Sequence, residues 1–324
     1  MLAALLLSGC GGIQSSLAPR GSGAGAIYGI WHLFFWTCAA VFLVVVVGLL
    51  GAMLRGRHLP ADASPQMLPE PARERRLDRL LQVGIAVTVA ILLVFTLASY
   101  SVGTTLFYSP ENALDVELTG HRWWWEVRYP ASGFATANEI HVPVGTPVRL
   151  TLRSDDVIHS FWVPNLHGKM DLIPGQTNRL VLTAERPGIY RGQCAEFCGQ
   201  QHAFMALYVV AAPEQETNRW RERENRPAAE PATDAAKHGR QVFADNCAAC
   251  HTIRGFKEEG KLAPDLTHVA SRLSIGAGRL PNSRGNRGGW IVDAPGLKPH
   301  VYMPSFPLPP DDLQALLDYL DTLR

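Results

Sequence analysis

Two long apolar runs near the N-terminus dominate the hydrophobic pattern of the chain. The first extends from about residue 30 to 54 and the second from about residue 80 to 100. Neither run contains Asp, Glu, Lys or Arg, and each is long enough to cross a bilayer core of about 30 Å. The pattern predicts a transmembrane helical hairpin within residues 27–104, with a pair of buried core helices as the alternative.

Beyond the hairpin the pattern changes to short alternating segments. Apolar and polar residues alternate over residues 115–120, 139–144 and 148–152, and Gly and Pro residues separate these segments. Such a pattern is typical of an all-β sandwich or barrel of short antiparallel strands. We predict this domain over residues 105–212.

The remaining third of the chain has a different composition. Residues 213–233 are rich in Pro, Ala, Glu and Arg and are expected to form a semi-extended linker, with or without a short helix. Residues 234–324 form the last predicted domain, which has helical patterns at both ends. The leucines at helical spacing near its C-terminal end are Leu313, Leu316, Leu317 and Leu320. The Gly- and Arg-rich residues 282–290 are expected to form a surface loop.

The first residues resemble a processing signal. Residues 1–10 are apolar and end in Ser-Gly-Cys, which resembles the lipobox of bacterial lipoproteins, where the signal is cleaved and the new N-terminal Cys10 is lipidated. The run lacks a basic opening region, so either the true start lies upstream of Met1 or the run is an unprocessed apolar tail. Residues 11–29 are rich in Gly, Ser and Ala and are predicted to be flexible.

Charge sets the expected orientation in the membrane. The residues between the apolar runs include Arg55, Arg57, Arg73, Arg75, Arg76 and Arg79, whereas the flank before the first run has only Arg20. Basic residues accumulate on the cytoplasmic side of membrane proteins. We therefore expect this loop in the cytoplasm, both termini on the outer face, and the whole C-terminal part outside the cytoplasm. The formal net charge of +1 gives no reason to expect a nucleic-acid partner.

Four of the six cysteines form two close pairs with a histidine nearby, which favours cofactor chemistry over a disulfide framework. The first pair, Cys194 and Cys198, belongs to the spacing Cys-x-x-x-Cys-x-x-x-His-x-x-Met, which ends with His202 and Met205. Sulfur and imidazole favour copper, zinc or iron–sulfur sites. A weak methionine ligand narrows the choice to electron-transfer copper, because zinc takes Cys, His and carboxylate. Two thiolates are able to bridge two copper ions, which requires a second histidine from elsewhere.

The second pair belongs to the motif Cys-Ala-Ala-Cys-His, the attachment signature of c-type haem. The thiols of Cys247 and Cys250 add to the two haem vinyl groups, and the adjacent His251 reaches the iron. A zinc knuckle is the alternative, but it requires a second Cys or His pair.

The sixth ligand of such a haem iron is commonly Met or His. Met303 is the only methionine after residue 205, and it is therefore the best axial candidate. His268 and His300 are the alternatives.

The segment Asp-Val-Ile-His-Ser-Phe-Trp-Val-Pro contains His159. With the copper loop it resembles the binuclear copper (CuA) site of cytochrome c oxidase subunit II; the set is His159, Cys194, Glu196, Cys198, His202 and Met205. The resemblance implies that His159 is the second histidine. Residues 120–126, which contain three consecutive tryptophans, resemble the aromatic segment of the same family, and residues 169–175 also match. This resemblance covers roughly residues 27–212. Residues 262–272 and 275–278 resemble the cytochrome c domain that is fused to subunit II in some bacterial oxidases.

The resemblance implies a fold and a set of ligands. The fold is two transmembrane helices, an all-β cupredoxin-like Greek-key domain and a small all-α cytochrome c domain. The two thiolates bridge two copper ions, each histidine binds one, and Met205 and the backbone carbonyl of Glu196 are weak ligands. One haem c is bound covalently, and the carbonyl of Pro264 orients its histidine ligand.

The resemblance also implies a function. The chain is expected to be the electron-accepting subunit of a terminal oxidase in the bacterial inner membrane. It would pass electrons from cytochrome c, or from an upstream respiratory complex, through its haem and copper pair to the oxygen-reducing subunit I. This transfer is coupled to proton translocation. Subunit III and membrane lipid are further expected partners.

Three residues carry further expected roles. Trp123 is the candidate through which electrons reach copper, with a core aromatic as the alternative. The side chain of Glu196 is a candidate ligand of Mg²⁺ or Mn²⁺ shared with subunit I, because carboxylates suit such ions. Asp78 is a candidate for proton uptake, with a capping role at the start of the second helix as the alternative.

Two other functions compete with the oxidase. A nitric oxide reductase subunit could carry the same copper module, because the catalytic site lies on another subunit. A copper-delivery or redox-sensing protein would only bind metal, but the full ligand set and the haem domain argue against it. Quinol oxidase subunits share the scaffold and lack the copper ligands, so they are disfavoured.

Overall fold

A computed structural model describes residues 12–56, 71–255 and 260–324 of the chain. Cys10 and its predicted lipidation lie outside these residues. The contacts divide the chain into two units, one of which comprises Ala26–Leu106. The other unit contains the β domain and the C-terminal helical domain.

The helical unit consists of α1, Ser22–Gly56, and α2, Pro71–Phe107. Both helices are long enough and apolar enough to cross a membrane, and the rings of Phe34 and Phe95 stack with centroids 4.1 Å apart. With 35 and 37 residues, the helices extend well beyond the predicted apolar cores, because helical structure continues into the Gly-, Ser- and Arg-containing flanks. The predicted boundaries were therefore too short.

The prediction that residues 11–29 are flexible was wrong for the part that is described. The amide of Asn165 donates to the carbonyls of Ser15 and Ala18, each at 3.0 Å, and the backbone N–H of Arg20 donates to the carbonyl of Asn165 at 2.7 Å. From Ser22 onward the residues are helical. A partner elsewhere in the chain thus orders a segment whose composition suggested a free coil.

The β domain consists of two five-stranded sheets. The strands are β1 Leu114–His121, β2 Trp124–Tyr129, β3 Phe134–Ala137, β4 Glu139–Pro143, β5 Val148–Ser154, β6 His159–Trp162, β7 Met170–Leu172, β8 Asn178–Leu182, β9 Gly188–Cys194 and β10 Ala206–Ala212. The strand orders are β3-β2-β1-β5-β8 and β4-β10-β9-β6-β7. Alternate residues of each strand point inward, and the core between the sheets includes the fully buried Leu118, Leu150 and Phe161.

The expectation of purely antiparallel strands was wrong at two places. β1 pairs with β5 in parallel, and β4 pairs with β10 in parallel. Alternation along a strand reports which face is buried and carries no information on the direction of the neighbouring strand. The remaining pairs are antiparallel.

The chain then continues through α3, Glu214–Glu224, so the expected linker contains a helix of 11 residues. The C-terminal domain is built on α4, Asp234–Asn246, α5, Arg284–Leu297, and α6, Pro310–Thr322. Between α4 and α5 lies a small hairpin of β11, Ser274–Ile275, and β12, Leu280–Pro281.

Helices α4 and α6 cross at Gly239. A Cβ atom at this position would lie 1.9 Å from the carbonyl oxygen of Ala315, so only glycine permits this approach. Around the crossing, Phe243, Leu316 and Tyr319 form the buried core of the domain.

The expectation of a surface loop over residues 282–290 was wrong, because α5 covers most of this segment. The Ser283 hydroxyl caps the helix by accepting from the backbone N–H of Asn286 at 3.2 Å. Arg287 is buried and pairs with Asp321 of α6. The Gly and Arg content suggested a solvent-exposed segment. The ion pair with Asp321 instead allows the Arg287 side chain to be buried.

Candidate copper centre and haem cavity

The predicted copper ligands lie together at one end of the β domain. β9 ends at Cys194 and β6 begins at His159, and these two neighbouring strands bring the first thiol and imidazole together. The loop after β9 returns Cys198 to the same place. Ligand atoms of these three residues all lie within 4.8 Å of one another, and all three residues are buried.

The atoms are arranged around the two sulfurs. The Sγ atoms of Cys194 and Cys198 are 3.7 Å apart. The Nδ1 atom of His159 lies 3.9 Å from Cys194 Sγ, and the Nδ1 atom of His202 lies 3.7 Å from Cys198 Sγ. Each imidazole therefore stands beside a different sulfur.

Two weaker donors complete the cluster. The Sδ atom of Met205 lies 3.8 Å from Cys198 Sγ, and the carbonyl oxygen of Glu196 lies 3.2 Å from Cys194 Sγ. Met205 has no exposed surface. A buried set of thiol, imidazole and thioether donors fits copper by its chemistry.

A hydrogen bond between the two thiols changes the acidity of both. The hydrogen bond between them lowers the pKa of Cys194 to about 4 and raises the pKa of Cys198 far above its ordinary value. The two thiols therefore differ in acidity, and the thiol of Cys194 is the more readily ionised. Metal ligands of this type must be thiolates.

Asp156 orients the first imidazole, a role that the sequence analysis missed. Its Oδ1 atom accepts a hydrogen bond from Nε2 of His159 at 2.9 Å, which leaves Nδ1 free to bind metal. Burial opposes ionisation of Asp156, but hydrogen bonds from His159 and from the backbone N–H groups of Val157 and Arg122 outweigh it and lower its pKa. The signal was present in the sequence as a carboxylate three residues before the histidine.

The absence of a side chain at Gly120 leaves room for the imidazole ring of His159. A Cβ atom at Gly120 would lie 2.7 Å from Cδ2 of the imidazole. Since this residue lies on β1, the neighbouring sheet can approach the ring only where no side chain intervenes.

The C-terminal domain and residues of the β domain, including Trp123, border a mainly apolar cavity of about 380 Å³. Its lining includes Cys247, Cys250, His251 and Met303. The predicted haem-binding residues, separated by more than fifty positions, therefore surround one space. A cavity with apolar walls and two thiols fits the attachment chemistry of a haem.

His251 is prepared as a ligand. Its Nδ1 atom lies 2.7 Å from the carbonyl oxygen of Pro264, as the resemblance implies. Donation to this carbonyl fixes the tautomer and leaves Nε2 free. Burial lowers the pKa of His251, which favours the neutral form that binds metals.

Neither of the alternative axial ligands, His268 and His300, lines the cavity. Both ring nitrogens of His268 contact backbone carbonyl oxygens, those of Arg324 at 2.8 Å and Arg226 at 3.0 Å. His300 is exposed. Among the described residues that line the cavity, Met303 is the one candidate for the position opposite His251.

Trp123 connects the two sites. It lines the haem cavity, and its Nε1 atom donates a hydrogen bond of 2.9 Å to the carbonyl of Cys198. Its ring stacks on Tyr302 with centroids 6.4 Å apart. The next two tryptophans differ: Trp124 stacks on His121, whereas Trp125 is fully buried in the β-domain core.

The two candidate carboxylates occupy different settings. Glu196 is exposed, so its side chain is accessible to a partner while its carbonyl faces the copper ligands. Asp78 is exposed on α2. Because α2 begins at Pro71, Asp78 lies in the third turn, and the alternative of a capping role at the helix start was wrong.

The fold and these sites define a class: a membrane-anchored electron-transfer protein with a copper-type β domain and a cytochrome c domain. Residues 131–212 match the family of the cytochrome c oxidase subunit II periplasmic domain, and residues 236–324 match the cytochrome c family. A cytochrome c oxidase subunit 2 of Alkalihalophilus pseudofirmus is 35% identical, over 99% of this chain and 94% of the relative. The chain belongs to the cytochrome c oxidase subunit 2 family.

A second relative and two solved structures are also similar to parts or all of this chain. The cytochrome c oxidase subunit 2 of Bacillus subtilis is 29% identical, over 100% of this chain and 96% of the relative. Among solved structures, the periplasmic domain of subunit II of cytochrome oxidase from Bradyrhizobium japonicum is 32% identical and covers 36% of this chain and 96% of its own, with a TM-score of 0.35. A haem–copper terminal oxidase dimer is 24% identical and covers 41% of this chain and 99% of its own, with a TM-score of 0.34.

These findings confirm the predicted family and fold class. The chain is part of an oxidoreductase complex, a cytochrome c oxidase, and it is membrane-anchored with a periplasmic domain. The two matched domains imply copper and haem as its cofactors.

Proposed function

We propose that this chain accepts electrons from cytochrome c through a covalent haem c, transfers them to a binuclear CuA centre, and delivers them to subunit I. The observation that carries the proposal is the position of Trp123. Its ring lines the haem cavity, and its N–H group is bonded to the carbonyl of the copper-loop residue Cys198. A single side chain thus spans the distance between the two sets of ligands.

The chain's own residues would hold the cofactors as follows. Cys194, Cys198, His159 and His202 would hold the copper ions, with Met205 and the Glu196 carbonyl as weaker donors. Cys247 and Cys250 would hold the haem, and His251 and Met303 would supply the donor atoms for its iron. When bound, these groups supply one-electron redox chemistry.

The surroundings of the ligands suit rapid electron transfer. The paired strands β6 and β9 carry the buried His159 and Cys194, and the Asp156 carboxylate orients the imidazole. Since little water reaches these side chains, little solvent has to reorganise when charge moves.

Metal content and gas consumption test the proposal. The purified complex should contain two copper ions and one covalent haem c per copy of this chain, and it should consume oxygen with reduced cytochrome c. Copper analysis, a haem assay under denaturing conditions and an oxygen electrode measure these quantities. One copper per chain would contradict the binuclear site, and consumption of nitric oxide without oxygen uptake would favour the competing reductase.

The axial role of Met303 has its own test. Met303→Ala should remove the thioether ligand and replace the low-spin His/Met spectrum with a high-spin or His/His spectrum, because axial ligands determine the electronic state of haem iron. Haem should remain attached through Cys247 and Cys250. Visible absorption spectra of the reduced and oxidised protein measure the change. An unaltered His/Met spectrum would exclude Met303.

Further roles follow from the same proposal. The Glu196 carboxylate is a ligand of Mg²⁺ or Mn²⁺ at the contact with subunit I, and bound Mn²⁺ in the complex with Glu196→Gln tests it. Asp78 assists proton uptake on the cytoplasmic side, with both termini on the outer face. Unaltered turnover and proton pumping in Asp78→Asn would exclude that role.

A further inference from the structure

Lys298, at the C-terminal end of α5, is almost completely buried although it carries a charged group. Its exposed fraction is 2%. The Nζ atom donates two hydrogen bonds of 2.9 Å, one to the carbonyl of Trp123 in the β domain and one to the carbonyl of Gly276 in the C-terminal domain. One ammonium group therefore joins the two domains at the residue that connects the haem cavity to the copper loop.

Both hydrogen bonds of the Lys298 ammonium go to backbone carbonyl groups and neither goes to a carboxylate. In the described part of the chain, no carboxylate lies within 4.0 Å of the Lys298 ammonium. Burying a cation is costly unless its hydrogen bonds are satisfied, and here two carbonyl dipoles provide that satisfaction. Burial lowers the pKa of Lys298 to about 7, in keeping with its removal from water. Because each domain supplies one of the two acceptor carbonyls, the ammonium group is satisfied only when the two domains are packed together.

Two neighbouring contacts between the domains involve residues next to proposed ligands. The backbone N–H of Ala206, next to Met205, donates to the carbonyl of Ala277 at 3.0 Å. Tyr302, which precedes Met303, stacks on Trp123. Residues adjacent to a proposed copper ligand and to a proposed haem ligand thus meet at the segment that Lys298 holds.

We propose that Lys298 is a positioning residue that holds the haem domain against Trp123 and thereby sets the rate of electron transfer from haem to copper. The inference rests on the proposed function. Without the ammonium group, the backbone of Trp123 loses its bond to the C-terminal domain, and the other contacts between the domains hold the two sites at a less sharply defined distance and orientation. Small displacements of this kind have large effects on reactions that require defined geometry.

The test compares Lys298→Met with Lys237→Met in the whole complex. Lys237 is an exposed lysine of the same domain and pairs only with Asp234 among the described residues, so its replacement is a matched control. A photoactivated reductant delivers one electron to the haem, and absorbance follows haem oxidation and copper reduction. We expect the haem-to-copper rate to fall roughly tenfold or more in Lys298→Met, as for loss of a charge-assisted hydrogen bond. The rate of haem reduction by the external donor should stay unchanged in both variants.

A lower haem-to-copper rate with an unchanged donor-to-haem rate distinguishes a positioning role from a general loss of stability. An unchanged haem-to-copper rate in Lys298→Met, with copper and haem fully present, would overturn the role of Lys298 and leave the proposed function intact. Absence of either cofactor from the wild-type complex would instead overturn the proposed function and this inference with it.

A second measurement does not depend on the variant folding. Amine acetylation of the wild-type complex, followed by mass spectrometry, should modify Lys298 at least about tenfold more slowly than Lys237, because buried groups react only after local opening. Equal modification of the two lysines would show that the domains separate freely, and would overturn the proposal.

Discussion

Replacing Cys198 with serine should leave at most one copper ion per chain and abolish oxygen consumption by the complex. Its Sγ atom lies within 4 Å of three other ligand atoms, those of Cys194, His202 and Met205. Hydroxyl oxygen is a poor substitute for a bridging thiolate. Turnover should fall more than roughly hundredfold, since even outer partners of metal ligands contribute ten- to a hundredfold.

Copper analysis and oxygen uptake measure this effect, with the haem spectrum as an internal reference that should not change. Cys38→Ser is the matched control, because Cys38 lies exposed on α1 and should leave both quantities at their wild-type values. Two copper ions in Cys198→Ser would contradict the bridging role.

Replacing Trp123 with phenylalanine should slow electron transfer from haem to copper by about tenfold to a hundredfold. The change keeps an aromatic ring beside Tyr302 but removes the Nε1 donor, so the bond to the Cys198 carbonyl is lost. The remaining ring is also smaller and no longer fixed, and loss of fixed geometry alone accounts for an effect of this size.

The photoreduction experiment measures that rate directly, while copper and haem content should stay at wild-type levels. Trp220→Phe is the control, because Trp220 of α3 stacks on His141 and lies outside both sites. If Trp123→Phe transferred electrons at the wild-type rate, Trp123 would be only a core aromatic.

Much of the copper centre could be predicted because most of its ligands are local in sequence. Cys194, Cys198, His202 and Met205 fall within twelve residues, and the Cys-Ala-Ala-Cys-His motif is equally compact. His159 is 35 positions from Cys194, and only its resemblance to a known family linked it to the loop. Its partner Asp156 was overlooked although it lies only three residues earlier in the sequence.

Long-range contacts explain what composition could not predict. Lys298 and Trp123 are 175 positions apart, and no periodicity or motif links them. Residues 282–290 were expected to be a loop because glycine weakens helices, yet the Ser283 cap and the Arg287–Asp321 pair stabilise α5. In both cases a tertiary partner outweighed the local preference.

The burial of Trp123 determines the reaction order of the internal step. With only 7% of its surface exposed, the indole ring offers almost nothing to a cytochrome in solution. In the proposed relay, transfer from haem to copper within one chain would then be a first-order event, insensitive to dilution and to ionic strength. Salt should slow only the encounter between the external donor and the haem domain, because screening acts on charges that meet through solvent. In the proposed relay, only the encounter between the external donor and the fused haem domain would depend on concentration.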